Sequence, residues 1–225
     1  KEIYEDSINN REKFWQNISE DIFWYKKPTK ILNSSKPPFY KWYEDGITNT
    51  CYNALDHHIN EGRGEKLAII YDSPITGVQK KISYKDLKDK VALFAGALRK
   101  QGINKGDRVI IYMPMIPEAA NELASRIDDS KAKLIVSASC GYEPGRTVHY
   151  KPLVNKALEL ATHKPNKCII FQREKDKAEL NPKIDITWED AHKDIKPAEC
   201  EKMNANDYAY ILYTSGTTGL PKGIV

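Results

Sequence analysis

Short apolar runs alternate with segments of helical periodicity along most of this chain. The apolar runs are rich in β-branched residues, as buried strands are, and they span residues 66–72, 108–113, 133–138 and 168–172. Residues 154–161 carry apolar side chains at helical spacing. Strand-helix-strand repetition favours parallel strands joined by crossover helices. The pattern therefore predicts an α/β fold with layered sheets and crossover helices.

The helix with the clearest sequence signals follows Ser83. Ser83 and Asp86 form a predicted capping pair, and Gly102 lies where the C-terminus of a helix favours glycine. Between them, apolar residues recur at helical spacing: Leu87, Val91, Phe94 and Leu98. We predict one helix between the capping pair and this glycine.

The N-terminal part of the chain has a different character, because half of the aromatic residues lie there between prolines and polar spacers. They are Tyr4, Phe14, Trp15, Phe23, Trp24, Tyr25, Phe39, Tyr40, Trp42, Tyr43 and Tyr52. We predict a wrapping segment that covers a core instead of forming its own.

Charge and cysteine content exclude several classes of protein. The 35 basic and 31 acidic residues are interspersed and give a net charge of +4, which argues against a nucleic-acid partner. The 4 cysteines form no CxxC pair, so we expect free thiols, no structural zinc and a reducing compartment. No apolar run approaches the roughly 18 residues of a membrane span. Residues 173–185 are densely charged and predict an exposed loop.

A run near the end of the chain has the chemistry of a phosphate-binding loop. Residues 213–223 read YTSGTTGLPKG and follow the apolar, β-prone stretch 208–213, which we expect to be a strand. Glycines let the backbone approach a polyanion, hydroxyls donate further hydrogen bonds, and the lysine adds positive charge. The candidate phosphate ligands are Thr214, Ser215, Gly216, Thr217, Thr218, Gly219 and Lys222.

The same run differs from other phosphate motifs. Lys222 follows Pro221 and precedes Gly223, which disfavours a Walker-type loop, and the glycine spacing differs from the dinucleotide fingerprint. A plain surface hairpin rich in Ser, Thr and Gly is the alternative. A hydrolase with Ser215 as nucleophile is disfavoured, because no G-x-S-x-G elbow surrounds that residue.

A second candidate site is the charged turn formed by Glu143, Pro144, Gly145 and Arg146. Pro144 fixes φ, Gly145 permits a left-handed conformation, and Arg146 offers a planar fork that suits a phosphate. An arginine beside a Pro-Gly turn is also compatible with an ordinary solvated loop.

Taken whole, the run YTSGTTGLPKG resembles the signature loop of the AMP-forming, or adenylate-forming, enzyme superfamily. Further stretches resemble its short-chain acyl-CoA synthetase branch, and the sequence His163-Lys164-Pro165 together with Cys168 is most similar to the propionate-type enzymes. These stretches are residues 49–57, 70–74, 111–117 and 140–153. The resemblance covers nearly the whole chain.

This resemblance implies an N-terminal segment of the acetyl-CoA synthetase type over residues 1–58 and part of an adenylation (AMP-binding) domain over residues 59–225. It implies that a short-chain carboxylate, propionate or acetate, is converted through an acyl-adenylate to acyl-CoA with ATP, Mg²⁺ and coenzyme A. Residues Thr214 to Lys222 would contact the phosphates of ATP, and Glu143 to Arg146 would contact coenzyme A. The resemblance assigns no catalytic residue and no metal ligand. It places the enzyme in the mitochondrial matrix, with the cytoplasm as the alternative.

The sequence departs from the family pattern at two places. Family members carry a further helix and strand between the positions of Ala119 and Ala120, so we expect residues to be missing at this junction. Family enzymes also continue beyond the position of Val225, so we expect the 225 residues alone to be inactive. These departures leave open a different function, that of a non-catalytic, synthetase-like subunit with a structural or interaction role in a larger assembly.

Overall fold

The computed structural model describes residues 1–113, 119–214 and 222–225. Its helices are α1 (Glu2–Asn9), α2 (Arg11–Ile18), α3 (Thr50–Ala54), α4 (Asp56–His58), α5 (Tyr84–Lys100), α6 (Ala120–Ser130), α7 (Tyr150–Leu160) and α8 (Trp188–Ala191). Its strands are β1 (Leu32–Asn33), β2 (Lys41–Trp42), β3 (Ile47–Thr48), β4 (Leu67–Ser73), β5 (Val78–Ser83), β6 (Val109–Tyr112), β7 (Leu134–Ala138), β8 (Cys140–Glu143), β9 (Arg146–His149), β10 (Lys167–Phe171), β11 (Asp185–Thr187), β12 (Met203–Asn204), β13 (Leu212–Thr214) and β14 (Lys222–Ile224).

The largest sheet has 4 strands in the order β11-β10-β7-β6, and all of its strand pairs are parallel. Its register places Ile135 beside Ile110 on one side and beside Cys168 on the other. Parallel neighbours need crossover connections, which α6 provides between β6 and β7 and α7 provides between β7 and β10. The predicted α/β fold with crossover helices is confirmed.

Side chains from helices cover both faces of this sheet, except at Ile111 of β6, which is 71% exposed. This cover explains the continuous apolar runs in its strands. Alternate residues point to opposite faces, so Ile135 and Ile170 pack with α6 and α7, whereas Val136 and Ile169 pack with side chains of α5 and α8. The strands are therefore the middle layer between two helical layers.

The helix α5 begins and ends close to the predicted limits. The N–H of Asp86 donates a hydrogen bond to Ser83 Oγ at 3.1 Å, and Gly102 adopts a φ of +80° after the last turn. In contrast, α7 begins at Tyr150 and not at residue 154 as predicted. Pro152 lies in the first turn of α7. A backbone N–H has no partner within the helix at this position, so proline costs no hydrogen bond, and its fixed φ suits a helix.

The predicted strand over residues 208–213 is largely wrong. Only Leu212–Thr214 forms a strand, and Tyr208 and Tyr210 are 77% and 73% exposed. Among the described residues, only β14 pairs with β13. A β-prone run becomes a strand only where a neighbouring strand is present, because strand propensity reflects packing more than backbone preference.

The densely charged stretch after β10 contains no helix or strand until β11 among its residues, all of which are described. This agrees with the predicted exposed loop, except at its end. Asp185 begins β11 and is only 7% exposed. All cysteines are free thiols, as expected, and Cys140 and Cys168 are buried. In the part of the chain that the structure describes, no helix is long and apolar enough to cross a membrane.

By its contacts, the chain divides into two compact units. The first contains residues 1–69, 82–88 and 199–225, and the second contains residues 70–81 and 89–198. The large parallel sheet lies in the second unit. In the first unit, the aromatic segment forms short antiparallel pairs, β1 with β2 and β3 with β12, and its rings pack on one another, for example Phe23 on Tyr52 at 4.4 Å between centroids.

The junction between Ala119 and Ala120 is joined in the structure. The carbonyl oxygen of Ala119 accepts hydrogen bonds from the N–H groups of Glu122 at 3.1 Å and Leu123 at 3.2 Å, so Ala119 is the N-cap residue of α6. The chain therefore enters α6 directly at this position. The expected absence of a family helix and strand from this position stays a prediction, and so do the domain limits at residues 58 and 59.

Candidate functional site

The predicted charged turn is the tip of the antiparallel β8–β9 hairpin, in the second unit. Glu143 and Arg146 are paired across the hairpin, and Arg146 Nε donates to Glu143 Oε2 at 2.6 Å. Gly145 adopts a φ of +76°, a conformation that favours glycine. The side chain of Arg146 is 67% exposed, so its guanidinium group can reach a ligand in solvent. The turn conformation predicted from Pro144 and Gly145 is confirmed, whereas the ligand role of the four residues stays a prediction.

The base of this hairpin is fixed on α7 by a close approach between Gly141 and Tyr150. A Cβ atom on Gly141 would lie 2.6 Å from Cε2 of the Tyr150 ring, so only glycine fits at this point. Tyr150 is 2% exposed and makes an edge-on contact with Tyr112 at 5.4 Å between centroids. Burial raises the pKa of Tyr150, which keeps its hydroxyl protonated. The hairpin tip is therefore held on a rigid base.

A basic turn lies beside the same hairpin. The guanidinium carbon of Arg173 lies 3.8 Å from the centroid of the Tyr142 ring, and Lys175 Nζ lies 5.5 Å from it. Sequence reasoning missed both residues, since in the sequence they are two cations in a densely charged loop. The fold brings them to the hairpin from about thirty positions further along the chain, as the separation of 33 between Tyr142 and Lys175 shows.

The phosphate-loop candidates fall into two groups. Thr214 and Lys222 are Cα partners in the antiparallel pair of β13 with β14, and both are exposed. The predicted ligands Ser215, Gly216, Thr217, Thr218 and Gly219 lie outside the described residues. The structure thus brings Thr214 and Lys222 together. These residues belong to the first unit and the β8–β9 hairpin belongs to the second.

Sequence reasoning also missed a buried ion pair between α7 and β11. Lys151 Nζ lies 2.9 Å from Asp185 Oδ2, and the two side chains are 2% and 0% exposed. Asp185 Oδ2 also accepts a hydrogen bond from the N–H of Asn181 at 2.7 Å. Burial, together with the Asp185 carboxylate, raises the pKa of the neighbouring Cys168 thiol to about 12. Cys168 is therefore a poor nucleophile. The group formed by Lys151, Asp185 and Cys168 has a structural role.

The first unit contains an open depression of about 490 Å³ with charged groups of both signs along its wall. It is lined by Glu20, Asp21, Ile22, Asn53, His57, His58, Glu61 and Arg63. Glu61 bridges His57 at 3.3 Å and Arg63 at 2.6 Å, so its charge is already matched. Among the described residues, no group of three or more His, Cys, Asp and Glu side chains is arranged to hold a metal ion.

Comparison with known families covers the whole chain. A family model described as "AMP-binding enzyme" matches residues 55–120 and 119–225. The chain belongs to the AMP-binding enzyme family. A second family model, described as "Acetyl-coenzyme A synthetase N-terminus", matches residues 1–54. The resemblance to the adenylate-forming enzymes that the signature run predicted is confirmed.

Curated relatives of this AMP-binding family member come from bacteria and mammals. It is 46% identical to "Uncharacterized protein PA3568" of Pseudomonas aeruginosa, which matches over 97% of this chain and 38% of that protein. It is 43% identical to the mouse "Acyl-CoA synthetase short-chain family member 3, mitochondrial", over 97% of this chain and 36% of that protein. It is 35% identical to the "Acetyl-coenzyme A synthetase" of Brucella canis, over 100% of this chain and 39% of that protein. The chain thus spans well under half the length of each of these relatives.

A solved structure supports the fold. The acetoacetyl-CoA synthetase from Streptomyces lividans matches 97% of this chain with a TM-score of 0.84 and 20% sequence identity, and the match covers 36% of that protein. At this identity the comparison concerns the fold alone. It agrees with the predicted N-terminal part of the adenylate-forming enzyme fold.

Proposed function

We propose that the complete protein containing these residues activates a short-chain carboxylate with ATP and transfers the acyl group to coenzyme A. The observation that carries this proposal is the family match over the whole chain, together with the signature run from Tyr213 to Gly223. The relatives named as short-chain acyl-CoA and acetyl-CoA synthetases support the substrate class. Propionate is the proposed carboxylate, with acetate as a further substrate.

The chemistry explains why such a protein needs a phosphate-binding loop. A carboxylate is a poor electrophile, so it first attacks the α-phosphate of ATP, which forms an acyl-adenylate and releases pyrophosphate. The thiol of coenzyme A then attacks the acyl carbon and displaces AMP. Negative charge accumulates on the departing pyrophosphate, and donors positioned beforehand around it lower the barrier.

The proposal assigns two binding roles to residues of this chain. Thr214 and Lys222, which lie opposite each other in the β13–β14 pair, would bind the β- and γ-phosphates together with Ser215, Gly216, Thr217, Thr218 and Gly219. Glu143, Pro144, Gly145 and Arg146 at the hairpin tip would contact coenzyme A. Arg146 suits this contact because its exposed guanidinium group can donate to a phosphate as a planar fork.

Magnesium enters the proposal only as the companion of ATP. Mg²⁺ in nucleotide sites is held largely by phosphate oxygens and water, with few protein carboxylates. When bound, it would offset phosphate charge, and no step of the proposal is assigned to it.

The proposal predicts that Lys222→Ala slows the first half-reaction. We expect propionate-dependent exchange of pyrophosphate into ATP, measured on the complete gene product, to fall by about 10²-fold, because one charged donor to the departing phosphates is lost. Lys183→Ala is the matched control, since Lys183 is an exposed lysine on a loop of the other unit. It should leave the exchange rate unchanged.

ATP binding and pyrophosphate exchange, measured on the same complete gene product, distinguish the two candidate functions. A non-catalytic subunit of a larger assembly would show neither saturable ATP binding nor pyrophosphate exchange, and Lys222→Ala would change nothing. That result would contradict the proposed synthetase activity.

We also propose the mitochondrial matrix as the compartment. The mouse relative carries "mitochondrial" in its name, and its 43% identity to this chain supports the assignment, while the bacterial relatives leave the cytoplasm as the alternative. Fractionation of cells that express the native protein, followed by immunodetection in the matrix fraction, tests this assignment. Detection in the cytosolic fraction alone would contradict it.

A further inference from the structure

Two cysteines from distant parts of the chain, Cys51 and Cys200, lie side by side in the first unit. Their thiols share a hydrogen bond. The Cys200 thiol also donates to Asp56 Oδ2 at 3.8 Å, across 144 positions of the chain. Sulfur is a weak donor and a weak acceptor, so a bond between two thiols requires neighbouring sulfur atoms. The fold thus creates a pair of thiols beside a carboxylate, which we call the Cys51–Cys200 dithiol.

Contacts next to both cysteines hold the dithiol in place. The side chain of Asn49 donates to the carbonyl oxygen of Glu201 at 2.8 Å. Asn49 is also the N-cap residue of α3, where its side chain accepts from the N–H of Tyr52 at 2.9 Å. The β3–β12 pair joins Thr48 to Met203. Two cysteines can be bridged only where the backbone already holds them close together, and these contacts provide that support.

The other cysteines of the chain differ from this pair in access to solvent. Cys140 and Cys168 are 0% exposed and belong to the second unit. Cys51 and Cys200 are only half-buried. A reagent dissolved in water can therefore reach the dithiol more easily than the other two thiols.

The two thiols of the dithiol are not equivalent. Burial raises the pKa of Cys51, whereas the hydrogen bond shared with Cys200 lowers it. Burial, together with the neighbouring Cys51 and the Asp56 carboxylate, raises the pKa of Cys200 to about 12. Cys51 therefore ionises before Cys200. Because the thiolate is the nucleophile, Cys51 is the thiol that attacks first.

We propose that the Cys51–Cys200 dithiol is an oxidation site that glutathione disulfide converts to an intramolecular disulfide. Its location in the first unit makes this oxidation independent of the proposed synthetase activity. In a reducing compartment the resting state is the dithiol, and such a disulfide forms as a transient, redox-sensing bond.

The reaction is a pair of thiol–disulfide exchanges. The Cys51 thiolate attacks one sulfur of glutathione disulfide, so a mixed disulfide forms, and one glutathione thiolate leaves and takes up a proton from water. Cys200 then loses its proton to water and attacks the Cys51 sulfur, which expels the second glutathione thiolate to be protonated in turn. The two protein sulfurs together lose two electrons, and glutathione disulfide is reduced to two molecules of glutathione.

The test is peptide mapping by mass spectrometry on the complete gene product. The folded protein is equilibrated with glutathione and an increasing share of glutathione disulfide, and free thiols are then blocked with N-ethylmaleimide before digestion. We expect a linked pair of peptides that contain Cys51 and Cys200 and that dithiothreitol separates. Cys140 and Cys168 should stay thiols, which makes them internal controls.

Single variants assign the roles of the two thiols. In Cys200→Ser, Cys51 should keep glutathione as a stable mixed disulfide, because no second thiol displaces it. In Cys51→Ser, Cys200 should be modified at least about 10-fold more slowly than Cys51 in Cys200→Ser, because burial and Asp56 still raise its pKa. Asp56→Asn removes the negative charge beside both thiols, so it should accelerate formation of the disulfide by about threefold or more.

The disulfide should also cross-link two distant stretches of the first unit. We expect limited proteolysis of the N-terminal segment to be at least about 10-fold slower in the oxidised wild type than in the reduced wild type, because opening of this segment is restrained. Cys51→Ser should be cleaved at the same rate after either treatment.

Several outcomes would overturn the oxidation site. They are the absence of the linked peptides at the highest share of glutathione disulfide, their appearance only in urea-unfolded protein, and a disulfide between two copies of the chain on a non-reducing gel. Pyrophosphate exchange by the reduced wild type reports on the proposed function separately. Its absence would contradict the synthetase activity and leave the disulfide result unaffected.

Discussion

At the scale of single residues, the ion pair between Lys151 and Asp185 lies buried in the second unit. Both groups are withdrawn from water, and Asp185 Oδ1 has no hydrogen-bond partner among the described atoms. Lys151 Nζ also donates to Asn155 Oδ1. A buried pair of this kind contributes little net stability, but removal of one partner leaves an uncompensated charge.

Lys151→Met should therefore destabilise the protein strongly. We expect the free energy of unfolding, measured in urea, to fall by about 3–5 kcal/mol, because the Asp185 carboxylate stays buried without its cation. Lys156→Met is the matched control, since this lysine lies on the same helix with its side chain 60% exposed. A loss no greater than that of the control would show that the pair is not buried in solution.

The double variant Lys151→Met with Asp185→Leu refines this prediction. It removes both charges, so it should recover most of the stability that the single variant loses. Failure to recover would assign the loss to packing of the lysine side chain and not to the unpaired carboxylate.

At the scale of secondary-structure elements, the segment of residues 195–198 crosses α5 and limits the side chains that this helix can carry. A Cβ atom at Gly96 would lie 2.1 Å from the carbonyl oxygen of Lys196 and 2.7 Å from Cγ2 of Ile195. The N–H of Ala198 donates to the carbonyl oxygen of Ala92 at 2.9 Å, which holds this segment against the helix. The glycine is required by packing, since helix propensity alone favours alanine.

Gly96→Ala should reverse the usual sign of a glycine-to-alanine change in a helix. An unhindered helix gains about 1 kcal/mol from this change. Here we expect the free energy of unfolding, measured with heat or urea, to fall by about 1–3 kcal/mol. The added methyl group would push the backbone at Lys196 away from α5. Lys90→Ala, at an exposed position of α5, is the control and should be nearly neutral. A stabilised Gly96→Ala variant would mean that the crossing segment does not lie on α5.

Elements that depend on local signals could be predicted from the sequence, and those that depend on distant partners could not. The cap at Ser83 and the glycine at 102 define α5 locally, and the Pro-Gly pair defines the hairpin tip. The β-prone residues 208–211 lack a neighbouring strand in the described structure, so their propensity is not realised. Arg173 could not be placed beside Tyr142, because only the fold brings these residues together.

At the scale of the whole molecule, the first unit is held together by contacts between the two ends of the chain. The β3–β12 pair joins Ile47 to Asn204. The side chain of Asn204 donates to the carbonyl oxygen of Glu44 at 2.9 Å and accepts from the N–H of Asn206 at 2.8 Å. The N–H of Ala205 donates to the carbonyl oxygen of Gly46 at 3.0 Å. The aromatic segment is thus fastened to the residues that lead into the candidate phosphate loop.

Asn204→Ala should loosen this attachment. Loss of a partner for the part-buried carbonyl of Glu44 should lower the free energy of unfolding by about 1–3 kcal/mol. Limited proteolysis should then cleave the N-terminal segment faster than in the wild type. Asn17→Ala is the control, because Asn17 is exposed and its side chain makes no hydrogen bond in the part of the chain described. Equal cleavage rates for both variants would contradict the proposed attachment.

The first unit is built from three stretches of chain, so its parts are synthesised at different times. Glu44 leaves the ribosome 160 residues before its partner Asn204. At about 5–20 residues per second, this is a delay of about 8–32 s. The residues of the second unit emerge within that interval, so its sheet can form while the aromatic segment still awaits its final partners. Nascent chains that are arrested before Asn204 would therefore leave the carbonyl groups of Glu44 and Gly46 without the donors that residues 204 and 205 provide.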